Sequence, residues 1–454
     1  MDKIILLPLI ISAALLVSRE PRDVFILVFL PFLTLLPTYF DVELVSGTPE
    51  LYFWSAALLP ILAAWMLRGF DGYHLQWMDL VILGYLLSIF YGQWVNSDYK
   101  QAQKLLFNNL MAIFFPYVLV RAFCEENRET LIKMIRMMTF LGAFIAVFNA
   151  IESRMFINYF DEILRRLWPS SVMWDIGMVL TRWGFKRALG PFTHPISAGY
   201  FFSLITPLAI WCYYQSLYRN QNIGKLVIFL NILGLLVAIS RAPMLGFFMG
   251  LIIIYYGWSQ NKAAIMSIVL LVAAVVLMVA VPKFIEYASV TRATAESEDQ
   301  RNVAYRKEMW EAYTEVVLER PYRGWGRFSV PAVKGMTSID SEYLGVALAS
   351  GLPALGFYIL FLFGMLVRLL RFVVQGAHDD PWVRLAWCLI AGWVSAIFSQ
   401  ATVYSGAQTV QYLYMLGAVG QVLILSTRSH ALSSRANAAH TEIAEQPFQF
   451  VRVL

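Results

Sequence analysis

Apolar residues in this chain run in blocks instead of alternating. The stretch AAIMSIVLLVAAVVLMVAV (263–281), for example, carries no charge at all. A helix needs about 20 mainly apolar residues to cross the hydrocarbon core of a bilayer, at about 1.5 Å per residue. Thirteen blocks approach that length: 3–18, 23–40, 51–67, 79–95, 105–124, 131–151, 192–214, 223–240, 243–258, 263–281, 351–370, 383–400 and 408–426. The first two are short and contain proline, so the pattern predicts an all-α polytopic membrane helix bundle of about 11–13 transmembrane helices. The opening block, IILLPLIISAALLV, is followed by SREPRD and not by a small-residue cleavage site, so it reads as a span and not as a removable signal.

One segment departs from this pattern. RKEMWEAYTEVVLERPYRGWGRF (306–328) is dense in charge and follows one of the longest apolar blocks. Within it Arg306, Met309 or Trp310, Tyr313 and Val317 recur at three- and four-residue spacing, while Lys307, Glu308, Glu311, Glu315 and Glu319 fill the remainder. That spacing predicts an amphipathic helix. Pro321 stops it, and RGWG supplies the turn at its end.

The short links set an orientation. If every block crosses, Arg19 and Arg22, Arg68, Arg128 with Lys133, Arg219 with Lys225, Lys262, Arg368 with Arg371, and Arg428 with Arg435 share one face. Basic links favour the cytoplasmic side. The two longest links, 152–190 and 282–350, then lie outside, as do DVELVSGTPE, NSDYKQ and ATVYSG. The membrane unit spans 1–427, and the polar tail 428–454 lies inside. Link 152–190 is rich in aromatic and Arg residues and is expected to lie on the bilayer as interfacial helices.

Composition agrees with this reading. Hydrophobic residues make up 59% of the chain and charged residues 14%, against about 25% charged in a typical soluble domain; the mean hydropathy is +0.61. The formal charge of +5 does not point to nucleic acid, because the basic residues are scattered over short links without a stripe or a base-stacking module. Cys124, Cys212 and Cys388 sit in or beside apolar blocks, with neither metal-ligand nor disulfide spacing. No metal or cofactor is called for.

Several arginines run against the charge rule. Arg241 stands alone between two apolar helices, in AISRAPMLG. A guanidinium in that position must reach the interface, pair with a carboxylate such as Glu298 or Glu308, or meet an anion. Its planar fork fits phosphate oxygens, which makes it a natural ligand for a diphosphate. Arg182, Lys186 and Arg187 crowd the mouth of the next helix, where Gly190-Pro191 turns the chain and His194-Pro195 follows. Helix N-termini favour anions as well. Arg187, Arg241 and Arg306 thus gather on one external face, with Arg301, Arg323 and Arg327 nearby in sequence. The structural alternative is an amphipathic cap over the bundle, with arginines snorkelling and His194 satisfied at the interface.

Three motifs carry a resemblance to a known family: GPFTHPISAGY, AISRAPMLG, and the long block from RNVAYRKEMW through RPYRGWGRF to IDSEYLGVALASGLPALG. Their order resembles the O-antigen ligase and Wzy-type polymerase superfamily of bacterial inner-membrane glycosyltransferases. The resemblance covers roughly residues 185–365. It implies a GT-C-like bundle with an external helical loop, a donor saccharide on undecaprenyl diphosphate, a saccharide acceptor and inverting transfer without a metal. It places the family's critical arginine at Arg241 and its loop arginine at Arg306, with Arg301 as the neighbouring choice. It also implies an inner-membrane setting beside chain-length or export proteins. One departure stands out: relatives carry His-Asn where this chain has Asp340-Ser341. Asp340 is then the candidate acceptor base, with Glu342 next, since a carboxylate can take a hydroxyl proton. The bland alternative makes Asp340 a helix cap. Loss of the His favours polymerase over ligase. A transporter or flippase of a lipid-linked sugar is a further reading, because buried Arg and broken helices suit it too; an envelope-assembly scaffold is another.

Overall fold

The computed structural model describes residues 2–125, 127–167, 180–336 and 338–444. Each of the thirteen apolar blocks is helical over most of its length. The chain begins with α1 (Leu7–Leu16) and a broken rod of α2 (Pro21–Val24), a π-helical turn (Phe25–Phe29) and α3 (Leu30–Leu35). A small hairpin, β1 (Asp41–Val42) and β2 (Leu51–Tyr52), leads into α4 (Phe53–Leu67) and α5 (Trp77–Asn96). A second broken rod joins α6 (Tyr99–Asn109), a π-helical turn (Leu110–Phe114) and α7 (Phe115–Cys124). Both π-turns run into a proline just inside the following helix, Pro31 and Pro116. Proline lacks an N–H and its ring crowds the turn before it, so the hydrogen-bond ladder widens there.

Next come α8 (Arg128–Met155), α9 (Tyr159–Leu167) and the hairpin β3 (Thr181–Arg182) with β4 (Phe185–Lys186). Link 152–190 therefore holds one short helix and a two-stranded hairpin where helices alone were expected; its 168–179 portion lies outside the described residues. The hairpin follows from Trp183-Gly184, which take φ 54° and 77° and reverse the chain. The remaining helices are α10 (Pro195–Tyr214), α11 (Gln221–Val237), α12 (Arg241–Trp258), α13 (Lys262–Ala288), α14 (Glu298–Glu319), α15 (Glu342–Gln375), α16 (Pro381–Gln400) and α17 (Ala407–Ala444). The helix thus continues into the tail expected from residue 428, and 445–454 lie outside the described residues.

Among the described residues, seven helical segments are long and apolar enough to cross a membrane: Trp77–Asn96, Tyr99–Cys124, Arg128–Met155, Pro195–Tyr214, Glu342–Gln375, Pro381–Gln400 and Gln408–Ser426. Of the 11–13 crossings expected, these seven meet that measure among the described residues, and some of the other blocks form shorter helices. Phe53–Leu67 and Gln221–Val237 are apolar, for instance, but have 15 and 17 residues.

Packing between helices depends on small residues. On α12, Gly246 and Gly250 face Ser395 and Ala391 of α16 so closely that a Cβ on either would meet α16 backbone atoms at 2.9 and 3.1 Å. Such small-residue seams let apolar helices approach where lipid offers no hydrophobic drive. The spans α10, α16 and α17 are the most buried and form the centre of the bundle.

The helix ends form two layers. One layer is locked by Arg121, at the end of α7, which grips Asp79 at the start of α5 (2.5 and 2.7 Å) and the His74 carbonyl (2.7 Å) with no solvent exposure. Trp211 at the end of α10 also donates there to the Pro381 carbonyl at the start of α16 (2.9 Å). At the opposite layer meet the ends of α8, α11 and α16 and the starts of α10, α12, α15 and α17. The described parts of both long links attach to this second layer, and Arg182, Arg187 and Arg241 lie there.

Candidate functional site

The approach to α10 is held from below by an acid. Glu152, on the last turn of α8, is buried; its Oε2 accepts the N–H groups of Leu189 (3.2 Å) and Gly190 (2.8 Å). Its other oxygen pairs with Lys186 at 3.0 Å. Ala188 donates to the Val237 carbonyl (3.0 Å) and Arg187 to that of Leu180 (2.8 Å). The strand after the hairpin is thereby tied to the ends of α8 and α11. Lys186 is engaged by this anchor, so it separates from the arginines beside it in sequence.

Arg182 and Arg187 project from this pinned segment and are half-buried. Arg182 Nη1 reaches the carbonyl of Ile239 at 3.4 Å. Ile239 occupies the turn between α11 and α12 at φ 46°, a costly conformation for a β-branched residue. Two residues later Arg241 opens α12 and is exposed. Of the two carboxylates considered as partners for it, Glu298 and Glu308, the second pairs with Arg292 at 2.5 Å. Burial, then the nearby charges of Arg182 and Arg241, push the Arg187 pKa down to about 10. A set of like charges under that strain favours a dense anion, and the N-termini of α10 and α12 present their amide dipoles at the same end.

His194 is the N-cap of α10. Its Nδ1 accepts the Ile196 N–H at 3.1 Å, which leaves Nε2 to carry the proton of the neutral ring. Burial and the Arg187 charge lower its pKa to about 4, while Asp340 acts in the opposite direction. Arg187 and Asp340 thus act on His194 with opposite electrostatic sign.

The loop bearing Asp340 is sewn to α14. Asp340 N–H points at the Met309 sulfur (3.2 Å), and its Oδ1 accepts from Ser338 Oγ (2.7 Å). Tyr305 donates to the Ser338 carbonyl at 2.6 Å. On α14 the packed face is Met309, Tyr313, Val316 and Val317, and Trp310 turns outward. Arg306 lies one turn before Met309 on that face, is half-buried, and makes no hydrogen bond or ion pair among the described residues. Arg301 sits exposed on the first turn of the same helix. Asp340 does not cap α15: Ser341 does, accepting the Leu344 N–H at 3.4 Å.

Glu342 lies on the other flank. It is buried, its N–H donates to the Val403 carbonyl (3.2 Å), and its Oε2 accepts the Ser405 N–H (2.8 Å). Arg327 belongs with Glu342, interacting electrostatically with it and with Tyr52, Tyr85 and Tyr404. Its backbone N–H is fixed by Gln93 Oε1 at 2.8 Å. Arg323 is exposed in the turn between, and only its backbone packs, against Gly92 of α5. The structure thus gathers Arg182, Arg187, Arg241, His194 and Asp340, sets Arg306 one turn from Asp340's anchor, puts Arg327 with Glu342, and leaves Arg301 and Arg323 at the surface.

Sequence reasoning passed over Glu152, Gln93, Asn96 and Arg320. The last three form a bracket in which Arg320 donates to Asn96 (2.8 Å) and stacks on Trp325. The usable signal was Glu152 itself, a lone acid closing an apolar block in VFNAIESR.

These features define a multi-pass membrane protein with a cluster of arginines, a histidine and carboxylates at one end of its helices. Residues 226–359 match the family model described as O-antigen ligase, Wzy_C, so a domain of that family is present in the chain and agrees with the motif resemblance. The matched stretch contains Arg241, Arg306, Asp340 and Glu342 and stops short of Arg182, Arg187 and His194. No curated protein matches the chain.

Proposed function

We propose that the protein is an inner-membrane polymerase that joins oligosaccharide repeats carried on undecaprenyl diphosphate, at the external face. The observation that carries this reading is the gathering of Arg182, Arg187 and Arg241 around the α11–α12 turn, with Arg187 and Asp340 both acting electrostatically on His194. The guanidinium groups hold the donor diphosphate. Arg306 approaches from α14 to match charge that grows as the diphosphate departs. An acceptor hydroxyl attacks the anomeric carbon from the face opposite the diphosphate. The anomeric C–O bond breaks with its electron pair going to the diphosphate, the new C–O bond forms, and the hydroxyl proton passes to Asp340. The configuration inverts. Among the described residues no group of three or more His, Cys, Asp or Glu side chains converges, and guanidinium groups supply the positive charge that the leaving group needs.

The O-antigen ligase description of the matched region favours a second reading, transfer of the glycan to lipid A-core. The Asp340-Ser341 pair, in place of the relatives' His-Asn, supports the polymerase. One assay separates them. Purified protein in liposomes receives the lipid-linked repeat alone or with lipid A-core. A ladder of lengthening products from the repeat alone is the expected result, and a single product that requires lipid A-core would establish the ligase. Arg241→Ala and Arg306→Ala should each abolish product at matched protein level, and Arg241→Lys should rescue little because it lacks the planar fork. Undiminished product from Arg241→Ala would overturn the anion-clamp reading.

A further inference from the structure

The link 401–406 between α16 and α17 holds one residue in an unusual way. Val403 and Ser405 are buried and bonded to Glu342, as described, while Tyr404 between them is 54% exposed. Its ring lies over the first turn of α15, where a Cβ on Gly345 would stand 3.9 Å from the Tyr404 Cδ2 and meet nothing else within 4 Å. The ring is fixed through its backbone on both sides and still presents a face to the open end of the bundle.

Aromatic residues at a bilayer boundary commonly anchor a protein at its lipid perimeter. Tyr404 joins α16 to α17, which with α10 are the most buried spans, so it stands over the centre of the bundle. Its surroundings are polar. Arg327 is exposed and engages Tyr404, Tyr52 and Tyr85. The first hairpin places Asp41 opposite Tyr52. Planar rings beside a guanidinium and carboxylates suit a sugar, which offers an apolar C–H face and a rim of hydroxyls.

We propose that Tyr404 and Arg327 form the acceptor-saccharide subsite, with the terminal sugar stacked on the Tyr404 ring and its hydroxyls held by Arg327. Asp340 lies two residues before Glu342, which is bonded to Val403 and Ser405 on either side of Tyr404, so the subsite adjoins the candidate base. The inference rests on the transferase reading only for the role of the sugar as acceptor.

The test is binding, measured without turnover. The probe is the oligosaccharide released by mild acid from lipid-linked intermediates of the producing cell. Saturation-transfer NMR on purified protein should show it contacting the wild type and Tyr404→Phe, which keeps the ring. Affinity should fall at least tenfold in Tyr404→Ala and in Arg327→Ala. Binding of undecaprenyl diphosphate should be unchanged in all three variants, which also verifies that they fold. Equal oligosaccharide affinity in Tyr404→Ala, or no contact with the wild type, would overturn the subsite. Ring-dependent binding by a wild type that forms no glycosidic bond would keep the subsite and remove the transferase.

Discussion

Asp340 sits two residues before Glu342, yet the two carboxylates have separate surroundings. Asp340 is bonded to Ser338 and acts electrostatically on His194, while Glu342 is buried against Ser405. Ser341 carries the helix cap, so the variants divide cleanly. Asp340→Asn should lower transfer about 10²–10⁴-fold, the usual worth of general-base catalysis, with the thermal midpoint unmoved. Ser341→Ala should cost about 1 kcal/mol of stability and spare the chemistry. A turnover assay paired with thermal unfolding reads both, and wild-type turnover in the Asn variant would move the base to Glu342. His194 makes a pH prediction. Its folded pKa of about 4 lies below the usual imidazole value of 6.5, so between those values the unfolded chain binds more protons and stability falls as pH drops. The thermal midpoint should decline from pH 6.5 towards 4, and His194→Gln should flatten part of that decline. The arginines and the His could be read from the sequence because charge is conspicuous in an apolar chain. Lys186 and Arg187, adjacent in sequence, could not be told apart there, since only the buried Glu152 decides which of them is bound.

Among the elements, the amphipathic helix was readable from its spacing, and the structure selects Met309 over Trp310 for its packed face. The β3–β4 hairpin was not readable, because aromatic and Arg content suits an interfacial helix equally well. The turn after α14 is held by close backbone approach. Gly324 has φ 61°, and a Cβ there would stand 2.6 Å from the Ala349 carbonyl; Gly351, inside α15, has φ 82° and would meet Pro321 and Tyr322 at 2.8 Å. Gly351→Ala should therefore push the Pro321–Gly326 turn away from α15, and limited proteolysis should cut there faster than in wild type. Glu152→Ala should free the two amides that seat the Arg187 strand, costing about 1–3 kcal/mol for buried donors left unpaired. Glu152→Gln keeps an acceptor and should lose less. Donor binding and thermal unfolding of the two variants check the order, and equal values for both would contradict it.

At the scale of the molecule, the apolar blocks dictated the helical bundle, because a continuous apolar run of that length permits little else in lipid. Their number of full crossings was less legible, since proline and short length turn some blocks into partial rods. The sidedness expected from link charge is open to direct test. Cys124, Cys212 and Cys388 are buried, so introduced thiols report without much background. Trp183→Cys and Ser329→Cys should react with an impermeant reagent in intact cells, and Asn261→Cys only after permeabilisation; the reverse pattern would invert the protein. The ties from Glu342 to Val403 and Ser405 carry a consequence for biosynthesis. The start of α15 takes its place only when residues beyond 400 are present, although the arginines are translated far earlier. A nascent chain halted before the α16–α17 link would thus display its arginine cluster while Glu342 and the start of α15 were still unseated, and assembly of this end of the bundle would wait for the final helix to enter the membrane.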